Sequence, residues 1–318
     1  MAIEQVEPQS EPRPEPRPEP RQPAVSSAPM APGGSRAATP TSPTMPATAP
    51  TRRVIGPPQW VIVALVAVYV VAFAALLFAP GGTFIERLRA LDGGICAQAP
   101  SHSFFPAATQ LPLCSRNTGI YLGFALTFLT LLGAGRIRAS RLPGYGAIAV
   151  LTAAVIALAV DGFNSLFLDL HLPHLYQPHN LLRLGTGLGT GTAMAALLIP
   201  AANSLIWRVD DKRSSFASLR VLAWMLPVLA LGFLAVGSQT PWLLYPVAIL
   251  SSAGLVTALS LVNLTFLLGV SNVMGYFRNW RQFFPMFTVV VALAVIELMG
   301  MFFVKQAFLS AIGGSPLH

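Results

Sequence analysis

Hydrophobic residues in this chain fall into long runs bounded by the few charged ones. An uncharged run between Arg53 and Glu86, centred on Trp60–Ala79, is the first. Others lie between Arg116 and Arg136, Arg141 and Asp161, and Arg183 and Arg208. From Val221 to Phe277 there are 57 residues without a charge. As one helix that run would be about 86 Å long, against a bilayer hydrocarbon core of about 30 Å. It must fold back, and Gly237-Ser238-Gln239-Thr240-Pro241 supplies the turn. A last run, from about Phe284 to Phe303, completes seven expected spans. The fold class is therefore all-α: a polytopic transmembrane helical bundle of about seven spans.

The stretch before the first span is different in kind. Residues 1–58 hold 15 of the 28 prolines, with Glu11-Pro12-Arg13-Pro14 echoed at residues 15–18 and 19–21. Proline at every second position forbids a helix or a sheet ladder, so a disordered, solvated, polyproline-II-like tail is expected. It reads as a solubilising spacer or as a docking site for a proline-binding partner. The organisation is then a tail over residues 1–58, a four-span region over 59–206, and three further spans over 207–318.

Composition agrees: 54% of the 318 residues are hydrophobic and 10% are charged, where a soluble domain carries about 25% charge. Lys and Arg near the span ends give the orientation. With the tail inside, eleven bases lie on the inner side (Arg52, Arg53, Arg136, Arg138, Arg141, Arg208, Lys212, Arg213, Arg220, Arg278 and Arg281), and five lie outside (Arg87, Arg89, Arg116, Arg183 and Lys305). The N-terminus is thus expected in the cytoplasm and the C-terminus outside. The net charge of +8 is spread along the loops rather than gathered on one face, which speaks against nucleic-acid binding. Both cysteines fall in the first outer loop, residues 80–118, and three of the five histidines in the second, roughly 162–182. Any functional site is expected to open outward.

Two blocks in these loops carry more than composition. The first reads Cys96-Ala97-Gln98-Ala99-Pro100-Ser101-His102-Ser103-Phe104, then Gln110-Leu111-Pro112-Leu113-Cys114-Ser115-Arg116-Asn117-Thr118-Gly119-Ile120-Tyr121. The second has Asp161-Gly162 before the loop, then Asn180-Leu181-Leu182-Arg183-Leu184-Gly185-Thr186-Gly187. Over about residues 90–205 the chain resembles a bacterial family of predicted membrane proteins called a domain of unknown function (number 2085). Its first block runs Cys-His-Gln-x-Pro-x-Arg-Ser-Phe and Leu-Pro-Leu-Cys-Ala-Arg-Cys-Thr-Gly-Ile-Tyr. The resemblance implies a membrane fold in a bacterial plasma (inner) membrane, motif residues at Gln98, Pro100, Ser103, Arg116, Tyr121, Asp161, Asn180 and Arg183, and no established activity. In a complete member, the thiolates and imidazole would suit zinc, iron or a redox pair. This chain has Ala97, His102 and Asn117 where the pattern has His, Arg and the second Cys of Cys-x-x-Cys, so two of those four candidate ligands are absent.

Cys96 and Cys114 remain, eighteen positions apart. They form a disulfide worth about 3 kcal/mol in the chain-entropy model, or two free thiols, or two metal ligands completed by His102 and a second-loop histidine. His171, His174 and His179 are weak metal candidates, more readily read as solvated interfacial side chains. Gly185, Gly187, Gly189 and Gly191 make two interleaved Gly-x-x-x-Gly pairs suited to close helix packing. Glu297 is the only acid well inside a span, so it must be protonated or paired. Asp161 and Arg183 are expected to form an ion pair bracketing the second loop, with Asn164 beside them.

Three functions fit. The first is an accessory or structural membrane component in the lipid bilayer, with a membrane-protein partner or as a homo-oligomer. The second is a small-solute transporter or channel using Glu297. The third is an outer-surface metal or redox enzyme with a degenerate thiol site. No nucleotide loop, catalytic triad or haem motif is present, so the chain reads away from an enzyme and no cofactor is expected.

Overall fold

The computed structural model describes residues 82–271 and 275–311, with Ala67 and Val70 besides. The tail and the expected span at Trp60–Ala79 lie outside the described residues, and all the elements below belong to the unit Gly56–His318. The order is α1 (Phe84–Asp92), two single 3₁₀ turns (Pro100–His102 and Pro106–Ala108), α2 (Ser115–Gly133), β1 (Ala139–Arg141), α3 (Tyr145–Asp169) and α4 (Asn180–Ile206). There follow β2 (Asp211–Ser214), α5 (Leu219–Ala223), α6 (Met225–Gly237), a 3₁₀ turn (Pro241–Leu243), α7 (Leu244–Ser271) and α8 (Trp280–Ala311).

Five helical stretches among the described residues are long and apolar enough to cross a membrane: Tyr145–Asp169, Asn180–Ile206, Leu219–Gly237, Pro241–Val270 and Trp280–Ala311. The count of seven is thus not matched. Helix α2, counted as a span from its sequence, begins with the polar turn Ser115-Arg116-Asn117-Thr118, which lowers its hydropathy even though it lies at the centre of the bundle. The Leu219–Gly237 stretch breaks at Trp224, where Pro227 cannot share a regular turn with the carbonyl of Ala223. The reversal at residues 237–241 falls where its composition puts it, with Gln239 at φ 50°.

Glycine decides how the core closes. Gly119 and Gly123 of α2 face the backbone carbonyls of Leu184 and Leu188 in α4, while Gly187 and Gly191 of α4 face those of Arg116 and Ile120. A Cβ at any of the four would collide with backbone, so two Gly-x-x-x-Gly pairs interlock and the helices pack at close range. On the other flank of α2, Gly254 of α7 faces the Tyr121 carbonyl. Gly185 and Gly189 point elsewhere, toward the Phe233 ring and Ala154. Thr127 and Thr192 add a hydrogen bond of 3.1 Å across the α2–α4 seam.

At one end of the bundle, β1 and β2 pair in parallel with an irregular register. Asn203 donates to the carbonyls of Ile137 and Ala139 and accepts from the Trp207 indole, and the Arg138 guanidinium stacks 3.9 Å over that ring. The motif-bearing loops gather at the other end.

Candidate functional site

The segment between α1 and α2 folds down among the helices. Its Gly93-Gly94 pair permits this: a Cβ on Gly94 would strike the Leu298 carbonyl, and one on Gly93 the Phe302 ring. Leu298 lies thirteen residues, about 20 Å, before the end of α8, so the loop packs against that helix well within its length. Gln98 pins it there. Its side-chain amide donates to the carbonyls of Arg89 at 2.7 Å and Pro112 at 2.6 Å, and this clasp holds Gln98 at φ 55°, an uncommon conformation for a residue with a Cβ. Gln110 completes the clasp, donating to the Gln98 carbonyl and the Ser103 hydroxyl and accepting from Arg89. Ser103 donates to the Ala99 carbonyl, and Pro100 opens the single 3₁₀ turn between them.

Within this loop the two cysteines meet. Cys96 is 2% exposed, and its Sγ accepts the backbone N–H groups of Cys114 at 3.2 Å and Gln98 at 3.4 Å. The thiol of Cys114 hydrogen-bonds to it as well, and that bond, ahead of the two N–H groups, pulls the Cys96 thiol down to about 6 against the opposing effect of burial. The same bond, with burial, pushes Cys114 up. Both are free thiols in the structure. Tyr121, in the second turn of α2, packs half-buried against this cluster.

Beneath the thiols sits a residue that sequence reading passed over. Asp92, fully buried at the end of α1, accepts from the Ser252 hydroxyl of α7 at 2.6 Å, while its Oδ1 has no partner. Burial pushes its carboxyl up to about 7, against the Ser252 hydrogen bond and with a further rise from Cys96. Lys305 of α8 also reaches the loop, donating to the carbonyls of Cys96 and Gly93. Its place just past the last apolar run could have suggested a loop contact; Asp92, in a short segment without a motif, offered no signal.

The second block forms a separate polar layer. Helix α3 runs on to Asp169, which places Asp161 two turns inside the helix and shortens the second loop to ten residues, 170–179. Asp161 is 1% exposed and takes Arg116, not the expected Arg183, as its ion-pair partner at 2.7 Å. The reason is geometric: Arg116, in the first turn of α2, delivers Nε and Nη2 to the same carboxylate oxygen, and the Tyr176 hydroxyl donates to the other. Arg183 bonds to Asn180 and Ser165. Asn180 in turn donates to the carbonyls of Ser101 and Ser103, tying the two blocks together. Asn164 shapes the loop, accepting from Leu175 and Tyr176 N–H and donating to the Tyr176 carbonyl.

The histidines do not converge. His102 lies 3.7 Å from Asp169, His174 bonds to Gln177 and the Leu172 carbonyl, His171 turns the end of α3 at φ 58°, and exposed His179 precedes α4. Among the described residues no three His, Cys, Asp or Glu side chains are grouped to hold a metal. Glu297, half-buried on α8, accepts from Asn263 of α7 at 2.8 Å, which supplies a polar partner for that acid.

Five helical stretches long and apolar enough to cross a membrane, packed against one another through glycines, define a multi-pass helical membrane protein. The family model described as Predicted membrane protein (DUF2085) matches residues 96–197. An uncharacterized protein of Methanothermobacter thermautotrophicus is 34% identical over 106 residues, which are 32% of this chain and 83% of that protein. The chain belongs to this family of predicted membrane proteins, whose function is unknown. The match spans the thiol loop and the layer around Asp161; the helices after Ile206 lie beyond it. No solved structure matches.

Proposed function

We propose that Cys96 and Cys114 are a reversible dithiol–disulfide couple in a multi-pass protein of the plasma membrane, with the thiol loop on the outer side and the proline-rich tail in the cytoplasm. One observation carries the reading: the Cys96 sulfur accepts the backbone N–H of Cys114 at 3.2 Å, which sets the two cysteines side by side in the loop. The side supports it too, since eleven basic residues against five favour an outward loop, and disulfides persist in oxidising compartments. Half-buried Cys114 is the sulfur a reagent reaches. It passes its proton to Cys96 as it attacks an incoming disulfide, whose S–S bond breaks and releases one thiolate. Cys96 then attacks the mixed disulfide, forms the Cys96–Cys114 bond, and gives up that proton to the second sulfur, which leaves as a thiol. The partner disulfide is reduced by the two electrons that the pair loses.

The test is maleimide mass labelling of the denatured chain, taken from membranes with and without prior reduction. The couple requires two labels after reduction and none after exposure to oxidised glutathione. Two labels under both conditions would remove it. A second reading, an accessory subunit held by its helices in a larger assembly or a homo-oligomer, draws on α3, whose apolar stretch is only 17% buried within the chain. Cross-linking in native membranes separates it from a monomer.

A further inference from the structure

The layer around Asp161 leaves one buried guanidinium, that of Arg183, without a carboxylate in contact, a local excess of positive charge. Asp161 is saturated by Arg116 and Tyr176. Asp169 is half-exposed, lies 3.7 Å from the His102 imidazole, and acts on Arg183 through space without contacting it. Arg183, 4% exposed, is in no ion pair among the described residues. Its Nη1 donates to Asn180, its Nη2 shares the Ser165 hydroxyl with Arg116 at 3.4 and 3.0 Å, and its buried Nε has no acceptor. Two guanidinium groups on one hydroxyl is a like-charge approach that needs a counter-charge, and a buried unpaired cation is costly. The backbone adds to the excess: α2 and α4 both begin here, and neither start has a side-chain cap, so two helix N-termini direct positive dipole ends into the same layer. After burial, these two guanidiniums are what hold the His102 imidazole below its usual range, with Asp169 pulling the other way.

We propose that Arg116, Arg183 and His102 form a binding site for a phosphate group, carried either by an anionic lipid headgroup or by a small soluble phosphate. Charge-assisted N–H donors suit a tetrahedral oxyanion. With Arg116 Nε and Nη2 held by Asp161 and Arg183 Nη1 and Nη2 held by Asn180 and Ser165, the unpartnered Arg183 Nε and the remaining guanidinium hydrogens are the donors left for it. Arg116 and His102 keep about a quarter of their side chains open to a ligand. This site is independent of the thiol couple and uses none of its atoms.

The full-length protein in an uncharged maltoside detergent is titrated with inorganic phosphate, against sodium chloride at equal ionic strength, and its thermal unfolding is followed by tryptophan fluorescence. In parallel it is placed in nanodiscs of phosphatidylcholine alone or with phosphatidylglycerol. A Tm rise with phosphate beyond that with chloride assigns a soluble ligand. A rise only with phosphatidylglycerol assigns a headgroup. Arg183→Gln weakens either response by ~10- to 100-fold, the loss of charged hydrogen bonds worth that factor. If that variant does not fold, Arg183→Lys, which keeps the charge and loses the fork, reads an intermediate loss, and Asp169→Asn tightens binding. Absence of both responses in the wild-type protein overturns the site, as does a response equal to that of chloride or one unchanged by Arg183→Gln or Arg183→Lys.

Discussion

Arg116 and Asp161 stand 45 positions apart in the chain and meet through two guanidinium nitrogens on one carboxylate oxygen, joining the first turn of α2 to the inner face of α3. The carboxylate is 1% exposed and the arginine side chain 26%. Removing one member strands the other in low dielectric, a loss of about 3–5 kcal/mol. Asp161→Asn is therefore expected to unfold at markedly lower denaturant concentration in detergent. A double-mutant cycle gives the sharper result: Arg116 with Asp161 shows strong coupling, and Arg183 with Asp161 much less, because Arg183 is not bonded to that carboxylate. Equal coupling in the two cycles would contradict the arrangement.

The interlocked glycines predict opposite signs for one kind of substitution. At Gly191 a Cβ runs into the Ile120 backbone, so Gly191→Ala must push α2 and α4 apart, a cost of about 1–3 kcal/mol or more. At Gly300, on α8, nothing lies within 4 Å of the added Cβ. Gly300→Ala then acts only on the backbone and stabilises by about 0.5–1 kcal/mol. Thermal unfolding of the two variants side by side checks the pair of signs.

What was legible in the chain follows from how local the determinant is. The helices were readable because an apolar run between charges is a local property, and the turn at Gly237–Pro241 because its residues cannot continue a helix. The Gly-x-x-x-Gly pair at Gly187 and Gly191 announced a close contact, but only the partner surface at Gly119 and Gly123 says which helix makes it. The choice of Arg116 over Arg183 for Asp161 depends on the rotation of α2 against α3, which no spacing within one segment encodes. The same holds for Asp92, whose burial arises only when α7 and α8 close over the thiol loop and bring Ser252 to it.

Gln98 is expected to govern access to the thiols. Its amide makes two bonds to backbone carbonyls, and these bonds hold Cys96 beneath the loop. Gln98→Ala removes both, leaves the Pro112 carbonyl buried without that donor, and keeps a Cβ in the left-handed region; the combined cost is about 2–3 kcal/mol. Gln98→Gly loses the same bonds but relieves the backbone, and so is the milder change. Alkylation of Cys96 in the folded protein should be faster in both variants than in the wild type, with alanine the faster of the two. Unchanged labelling rates would mean that the loop is held by other contacts.

Asp92 gives the stability of the protein a pH dependence of definite sign. Its carboxyl titrates near 7 when folded and near 3.8 when unfolded, so between those values the folded state holds the extra proton. Stability from this group is complete below about pH 4 and is lost as pH rises toward 7, by an amount on the order of 4 kcal/mol. Other carboxylates oppose it, Asp211 among them, because its bonds to Arg213 hold it below the usual range and favour the folded state at higher pH. The comparison that isolates Asp92 is therefore wild type against Asp92→Asn, in which the amide imitates the protonated acid and still accepts from Ser252. The groups acting on Asp92 are Cys96 on its own loop, Tyr121 of α2 and Ser252 of α7, and Lys305 of α8 holds the same loop through its carbonyls. All are retained in the variant. The stability gap between Asp92→Asn and wild type should therefore widen in favour of the variant from pH 4 to pH 7 as measured by denaturant unfolding, and a gap that stays constant across that range would show that Asp92 is ionised throughout.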